Sequence, residues 1–183
     1  MVQYVQVTSD DELTGILQLQ ERNLAPNLTE AEKKSQGFLT VSHTIDILKK
    51  MHAIEPSLIA KDGEAVVAYA LAMTTATKAD FPILKPLFDL FGKIEYRGNK
   101  VSSYNYMVVG QTCIDKAYRG KGVLPKLYAA FINLFRHKYD FAITEIATKN
   151  LRSLHAHEKI GFRTVHEYVA PDGIGWTIVL LQW

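Results

Sequence analysis

The run Asp115-Lys116-Ala117-Tyr118-Arg119-Gly120-Lys121-Gly122-Val123-Leu124 constrains this chain more than any other segment. A strand-like stretch, Met107 to Ile114, leads into it, and a helical one, Leu127 to Phe135, follows. A glycine-containing turn between a strand and a helix start leaves several backbone N–H groups without partners and aimed outward. The helix dipole adds partial positive charge at the same point. Gly120 and Gly122 let the backbone come close to an anion, and Arg119 and Lys121 add mobile positive charge beside it. The turn therefore predicts a phosphate-bearing ligand. It lacks both the Gly-Lys-Ser/Thr ending of a P-loop and the third glycine of a dinucleotide fold, and an ordinary basic surface loop is the plainer alternative.

A second block weighs against that alternative. It reads Asn150-Leu151-Arg152-Ser153-Leu154-His155-Ala156-His157-Glu158-Lys159-Ile160-Gly161-Phe162, with Asn150 as a helix start and Gly161 as its C-terminal stop. Together the two blocks resemble the GNAT superfamily of N-acetyltransferases, which use acetyl-coenzyme A. That family's pyrophosphate loop runs Arg/Gln-x-x-Gly-x-Gly/Ala, and Arg119, Gly120, Lys121, Gly122, Val123 and Leu124 occupy it here. Asn150, Ser153, His157, Gly161 and Phe162 stand at the places of its second signature. The resemblance runs from about Met107 to Phe162; before that, only the order of elements supports it. Two residues depart from the pattern. Leu124 replaces the usual final small residue, and Pro125 after it has no N–H to offer a phosphate.

Composition narrows the remaining classes. The formal net charge is +2, which argues against broad nucleic-acid binding. The longest apolar run, Ala65 to Met73, is too short to span a bilayer, and no secretory leader pattern opens the chain. Cys113 is the single cysteine, so no internal disulfide can form, and no Cys or His cluster has metal spacing. The expectation is a cytoplasmic, metal-free protein with no membrane partner, read as a single domain over residues 1–183. Whether it forms a homodimer is left open.

Along the chain, Val2 to Val7 reads as a strand and Asp10 to Leu24 as a helix with Leu13, Ile16, Leu17 and Gln20 on one stripe. Thr44 to Met51 suggests a second helix, ended before Pro56. Ser57 to Ala60 and Glu64 to Met73 flank the Lys61-Asp62-Gly63 turn as a hairpin. Asp80 to Phe91 reads as a helix despite two prolines, and Tyr104 to Ile114 as the central strand. An amphipathic helix from Val123 to Lys138, a strand from Phe141 to Thr148 and a closing hairpin (Phe162 to Val169 with Trp176 to Gln182) complete the set. Strands paired first antiparallel, then linked through a helix, predict an α+β fold: a mixed, mostly antiparallel central sheet flanked by helices. The resemblance implies the same sheet.

Acetyl transfer to an amine needs a neutral nucleophile and a stabilised or protonated leaving thiolate. Glu145 is the candidate base: strand alternation puts it on one face with Phe141, Ile143 and Ala147, a carboxylate on an otherwise apolar row. Burial there would raise its pKa usefully. The resemblance agrees, since Glu145 lies where protein-amino-terminus acetyltransferases of this superfamily carry a glutamate base; a rim glutamate paired with a cation is the alternative. His157 stands where the family usually has a tyrosine acid, and an imidazolium with a pKa near neutrality could protonate the sulfur. A structural, inert histidine is the alternative there. Asn150 is read as orienting the pantetheine arm, capping its helix, or both. Thr112, Cys113 and Ile114 would offer backbone groups to that arm as to an added strand. Cys113 itself, buried and without an adjacent base, is not read as a nucleophile.

These residues imply an acetyl-coenzyme A-dependent N-acetyltransferase that acts on a primary amine by direct transfer in a ternary complex. The acceptor is a small-molecule amine or a protein amino group. Its site is expected among the Asn23 to Thr44 region, the Thr74 to Lys100 insertion and the final hairpin. The competing reading is a non-catalytic acyl-coenzyme A sensor or interaction module.

Overall fold

The computed structural model describes residues 1–78 and 85–183. In chain order its elements are β1 (Gln3–Gln6), α1 (Asp10–Glu21), α2 (Glu30–Gln36), α3 (Ile45–Ile54), β2 (Leu58–Asp62), β3 (Ala65–Met73), α4 (Lys85–Phe91), β4 (Glu95–Tyr96), β5 (Asn99–Lys100), β6 (Tyr106–Ile114), α5 (Val123–Phe135), β7 (Phe141–Ala147), α6 (Leu151–Ile160), β8 (Arg163–Val169) and β9 (Gly175–Gln182). Seven strands form one sheet in the order β1-β2-β3-β6-β7-β9-β8, with β4 and β5 as a separate hairpin. Every neighbour pair in the large sheet is antiparallel except β6 and β7. The α+β fold with a mixed, mostly antiparallel sheet is therefore as the sequence predicts. Part of the helix predicted over 80–91 is present as α4, and residues 80–84 lie outside those described.

Alternation along the strands divides the core into two layers. Val66, Leu71, Met73, Val108, Phe141 and Ile143 face α1, α3 and α4, meeting Leu13, Ile16, Leu48, Met51 and Phe91. Val67, Ala70, Ala72, Met107, Val109 and Ala142 face α5, meeting Leu127, Tyr128, Phe131 and Phe135. The small alanines of β3 leave room for the large aromatics of α5, so the layers interlock. Fully burying one such phenylalanine contributes roughly 1.5–3 kcal/mol. Tyr106 belongs to the first layer, stacked on Phe141 with ring centroids 6.1 Å apart. Tyr106 is the one tyrosine of this strand and a packing residue, and Tyr104, just before the strand, also packs against Phe141.

Helix starts follow their capping chemistry. Ser9 accepts from the Glu12 N–H of α1, and Glu12 in turn accepts from the Thr8 N–H at 2.7 Å. α2, which apolar periodicity does not announce, is set by a capping box: Thr29 accepts from the Glu32 N–H and Glu32 accepts from the Thr29 N–H. It buries no residue, so no apolar stripe marks it in the sequence.

Two irregularities open the middle of the sheet. β6 carries one extra residue opposite β3, since Ala70 pairs with Thr112 but Ala72 with Val109. The bulge falls at Gly110 and Gln111, and the Met73 side chain fills the space a Cβ at Gly110 would need. The parallel ladder between β6 and β7 then ends at Val108 and Ile143. Thr144 closes the fork, its hydroxyl donating to the Val109 carbonyl at 2.7 Å. Beyond that point the two strands diverge.

Candidate active site

A cavity of about 480 Å³ occupies the divergence. Gly110 to Ile114 of β6 and Thr144 to Ala147 of β7 form its two flanks, the Arg119–Pro125 region and α6 its walls on one side, and the 36–41 loop and Trp176 its remaining rim. Because β6 and β7 share no ladder here, β6 presents an unpaired strand edge to the space.

At the start of α5 the backbone turns through two left-handed glycines, Gly120 (φ 72°) and Gly122 (φ 75°), the second serving as N-cap. Among the described residues, no protein acceptor takes the N–H of Gly120, Lys121, Gly122, Val123 or Leu124. Five free amides at a helix N-terminus make an anion-binding concavity. Pro125 removes a donor that the next position would have supplied.

The two basic residues of this turn behave differently from the mobile charges the sequence suggests. Arg119 is fixed on all sides: Nε donates to the Ile114 carbonyl at 3.0 Å, one terminal nitrogen to Gln36 at 3.1 Å, and the other to Asn23. It therefore clamps the end of β6 to the ends of α1 and α2. Lys121 is exposed and lies 5.8 Å from the centre of the Tyr118 ring, off the cavity wall.

Asn150 spends its side chain on the protein. Its oxygen caps α6 at the Ser153 N–H (3.3 Å), and its nitrogen donates to the Phe38 carbonyl at 2.9 Å. The 36–41 loop is held a second time by Gln111, which accepts from the Tyr69 hydroxyl at 2.6 Å and donates to the Val41 carbonyl at 2.8 Å. The cavity rim is thus tied to β6 and to the start of α6. Cys113 is buried, and burial pushes its thiol up to about 12, so it stays protonated.

Glu145 lies on the α1 and α3 face of β7, as alternation requires, and lines the cavity. Burial raises its carboxyl above the usual carboxylate value, partly offset by a 2.6 Å hydrogen bond from the Tyr168 hydroxyl to Oε2. His157 lines the same cavity from the opposite layer, packed edge-on against Tyr128 and Phe162. Its Nδ1 lies 2.9 Å from the Ser153 carbonyl, which can only accept, so Nδ1 carries a proton. In the neutral ring Nε2 then accepts from the Tyr128 hydroxyl at 2.9 Å, and Tyr128 accepts from Thr112 at 3.0 Å. Burial lowers the His157 pKa below its ordinary value. The imidazolium near neutrality that the sequence suggests is replaced by a neutral ring with both nitrogens occupied.

The residues singled out in sequence thus converge on one cavity, with Lys121 as the exception. Tyr128, Gln111 and Tyr168 were not singled out; a polar group on a buried helical stripe was the available signal for Tyr128, whereas Tyr168 reaches Glu145 only through the order of strands. Of the regions expected to build the acceptor site, the 23–44 segment and the final hairpin reach the cavity, whereas the described part of the 74–100 insertion does not line it.

Sequence comparison gives the class. The model of the acetyltransferase (GNAT) family matches residues 26–162, and the chain belongs to that family. Acetyl transfer is the chemistry of this class. Curated proteins give no sequence match. Among solved structures, an acetyltransferase of the GNAT family from Streptococcus agalactiae is 14% identical with a TM-score of 0.69, covering 100% of this chain and 95% of its own. The NatC complex bound to Gag peptide and CoA contains a chain 14% identical with a TM-score of 0.66, the match covering 100% of this chain and 98% of that one. yncA from Salmonella typhimurium, solved with its cofactor acetyl-CoA, is 14% identical with a TM-score of 0.63, with 100% and 94% covered. At such identities the likeness is one of fold. No helix among the described residues is long and apolar enough to cross a membrane.

Proposed function

We propose that this chain is a single-domain, acetyl-coenzyme A-dependent N-acetyltransferase that transfers the acetyl group directly to a primary amine in a ternary complex. One observation carries the reading: a single cavity joins the acceptor-free amides of Gly120, Gly122, Val123 and Leu124 at the start of α5 to the partly buried carboxylate of Glu145. The amides around Gly120 and Gly122 fit a diphosphate, and the unpaired edge of β6 from Thr112 to Ile114 fits an extended amide-bearing arm. Acetyl-coenzyme A bound there would supply an activated thioester; acetyl-CoA is the cofactor named with the yncA structure, and CoA, the free thiol, is named with the NatC structure.

Glu145 takes a proton from the acceptor amine. Its raised pKa makes it a stronger base than an exposed carboxylate, and it is ionised above that pKa. His157 acts as the acid through the hydroxyls of Tyr128 and Thr112, returning a proton that cavity water delivers along the same hydroxyls; burial keeps this protonated form the minor one at neutral pH. Polarity along that chain follows the imidazole: while it is neutral, every proton points inward toward Nε2; once it is protonated, Tyr128 and Thr112 reverse and Thr112 presents its proton to the cavity. Asn150 and Ser153 hold the wall against which the arm lies.

The test is thiol release from acetyl-coenzyme A across a panel of small amines and peptides with free amino termini. Turnover with at least one acceptor, lost at least a hundredfold in Glu145→Gln, is the expected result. Tight carrier binding without turnover on any acceptor would favour the sensor reading.

A further inference from the structure

The carboxylate of Glu145 is held asymmetrically. Oε2 accepts the Tyr168 hydroxyl at 2.6 Å, while Oε1 has no partner among the described residues and is not sealed from solvent. Tyr168 reaches it from β8, the edge strand, across β9: Tyr168 pairs with Trp176, and Glu145 pairs with Ile178 on the same strand. The Tyr168 ring is itself held, lying nearly parallel to His166 with centroids 6.3 Å apart.

We propose that Tyr168 is the positioning residue of this site, fixing one oxygen of Glu145 so that the other faces the acceptor amine. The proposal rests on Glu145 being the base. A carboxylate free to rotate would share its time between orientations, whereas one anchored at Oε2 presents a single oxygen in a fixed direction. Such orientation matters because small misplacements of a catalytic group cost large factors in rate. The anchor also sets the proton affinity of Glu145, since a donor to the ionised form favours that form.

Few other titratable groups face this pair. His166 and Asp172 approach Tyr168 from β8 and the turn after it. Ile178 stands opposite Glu145 on β9. Cys113 and Tyr69, on the same face across the opening, are both kept neutral by burial. The 37–41 segment, Gly-Phe-Leu-Thr-Val, carries no charge.

The experiment compares pH profiles of kcat and kcat/KM for the wild type, Tyr168→Phe and Glu145→Gln with the best acceptor of the panel. In parallel, carbon-13 NMR of the Glu145 carboxyl follows its titration without substrate. In Tyr168→Phe we expect the acidic limb and the NMR midpoint to move to higher pH, and kcat to fall roughly ten- to a hundredfold, with KM little changed. An unmoved midpoint with wild-type kcat overturns the positioning role and leaves Glu145 as base. Wild-type turnover in Glu145→Gln overturns both.

Discussion

The Tyr128 hydroxyl stands 2.9 Å from His157 Nε2, and Thr112 lies 3.0 Å behind it, so that a cavity-lining hydroxyl and a buried imidazole are joined by one phenol. Neither end can change its proton without the middle. Residues acting in series should therefore fail together. His157→Gln, Tyr128→Phe and Thr112→Val are each expected to lower kcat for thiol release by about 10²-fold, the lower range for general acid catalysis. The triple variant should be no slower than the worst single one. A Thr112→Val enzyme with full activity beside an inactive His157→Gln would show that the imidazole acts without the chain.

Carrier affinity depends on the two left-handed glycines. Around Gly120 and Gly122 no atom lies within 4 Å of an added Cβ, so an alanine there meets backbone strain rather than a clash. That strain costs about 1–2 kcal/mol per residue. Gly63, in the β2–β3 turn, has φ 60° and equally open surroundings and does not line the cavity, which makes it a matched control. Gly120→Ala and Gly122→Ala should lower both the melting temperature and coenzyme A affinity measured by calorimetry, the latter at least tenfold. Gly63→Ala should lower the melting temperature alone. If all three bound coenzyme A equally, the diphosphate would have to lie elsewhere.

The parts legible in the sequence are those whose signal is local. β6, the glycine turn and α5 follow one another with only the short turn Lys116–Tyr118 between, and alternation along β7 suffices to put Glu145 on the row of Phe141 and Ile143. α2 was hidden because its stability comes from a capping box and not from an apolar stripe, although Thr29-x-x-Glu32 was there to be read. The fixed state of Arg119 was not legible: two of its partners, Gln36 and Asn23, are 83 and 96 residues away. The same holds for His157, whose neutral state follows from burial between Tyr128 and Phe162 and from its bond to the Ser153 carbonyl. In each case the missing information was which side chains meet across the sheet.

Acid should loosen the rim of the cavity. His43 Nδ1 donates to Gln20 Oε1 at 2.7 Å, and the His43 N–H reaches the same oxygen at 3.2 Å, tying the segment after Val41 to α1. Burial lowers the His43 pKa to about 4 from an ordinary 6.5. A group whose folded pKa is depressed contributes stability above its unfolded pKa and loses it as pH falls toward the folded one. His43 should therefore cost the fold about 3 kcal/mol between neutrality and pH 4. His157, also lowered, acts in the same sense, whereas Glu145, with its raised pKa, acts in the opposite one. Comparing urea unfolding of the wild type with His43→Asn across this range isolates the first contribution, because the other two are common to both proteins. The wild type should lose more stability than the variant on acidification, with most of the difference arising below pH 6.5. Parallel curves would mean that His43 is solvated rather than held against α1.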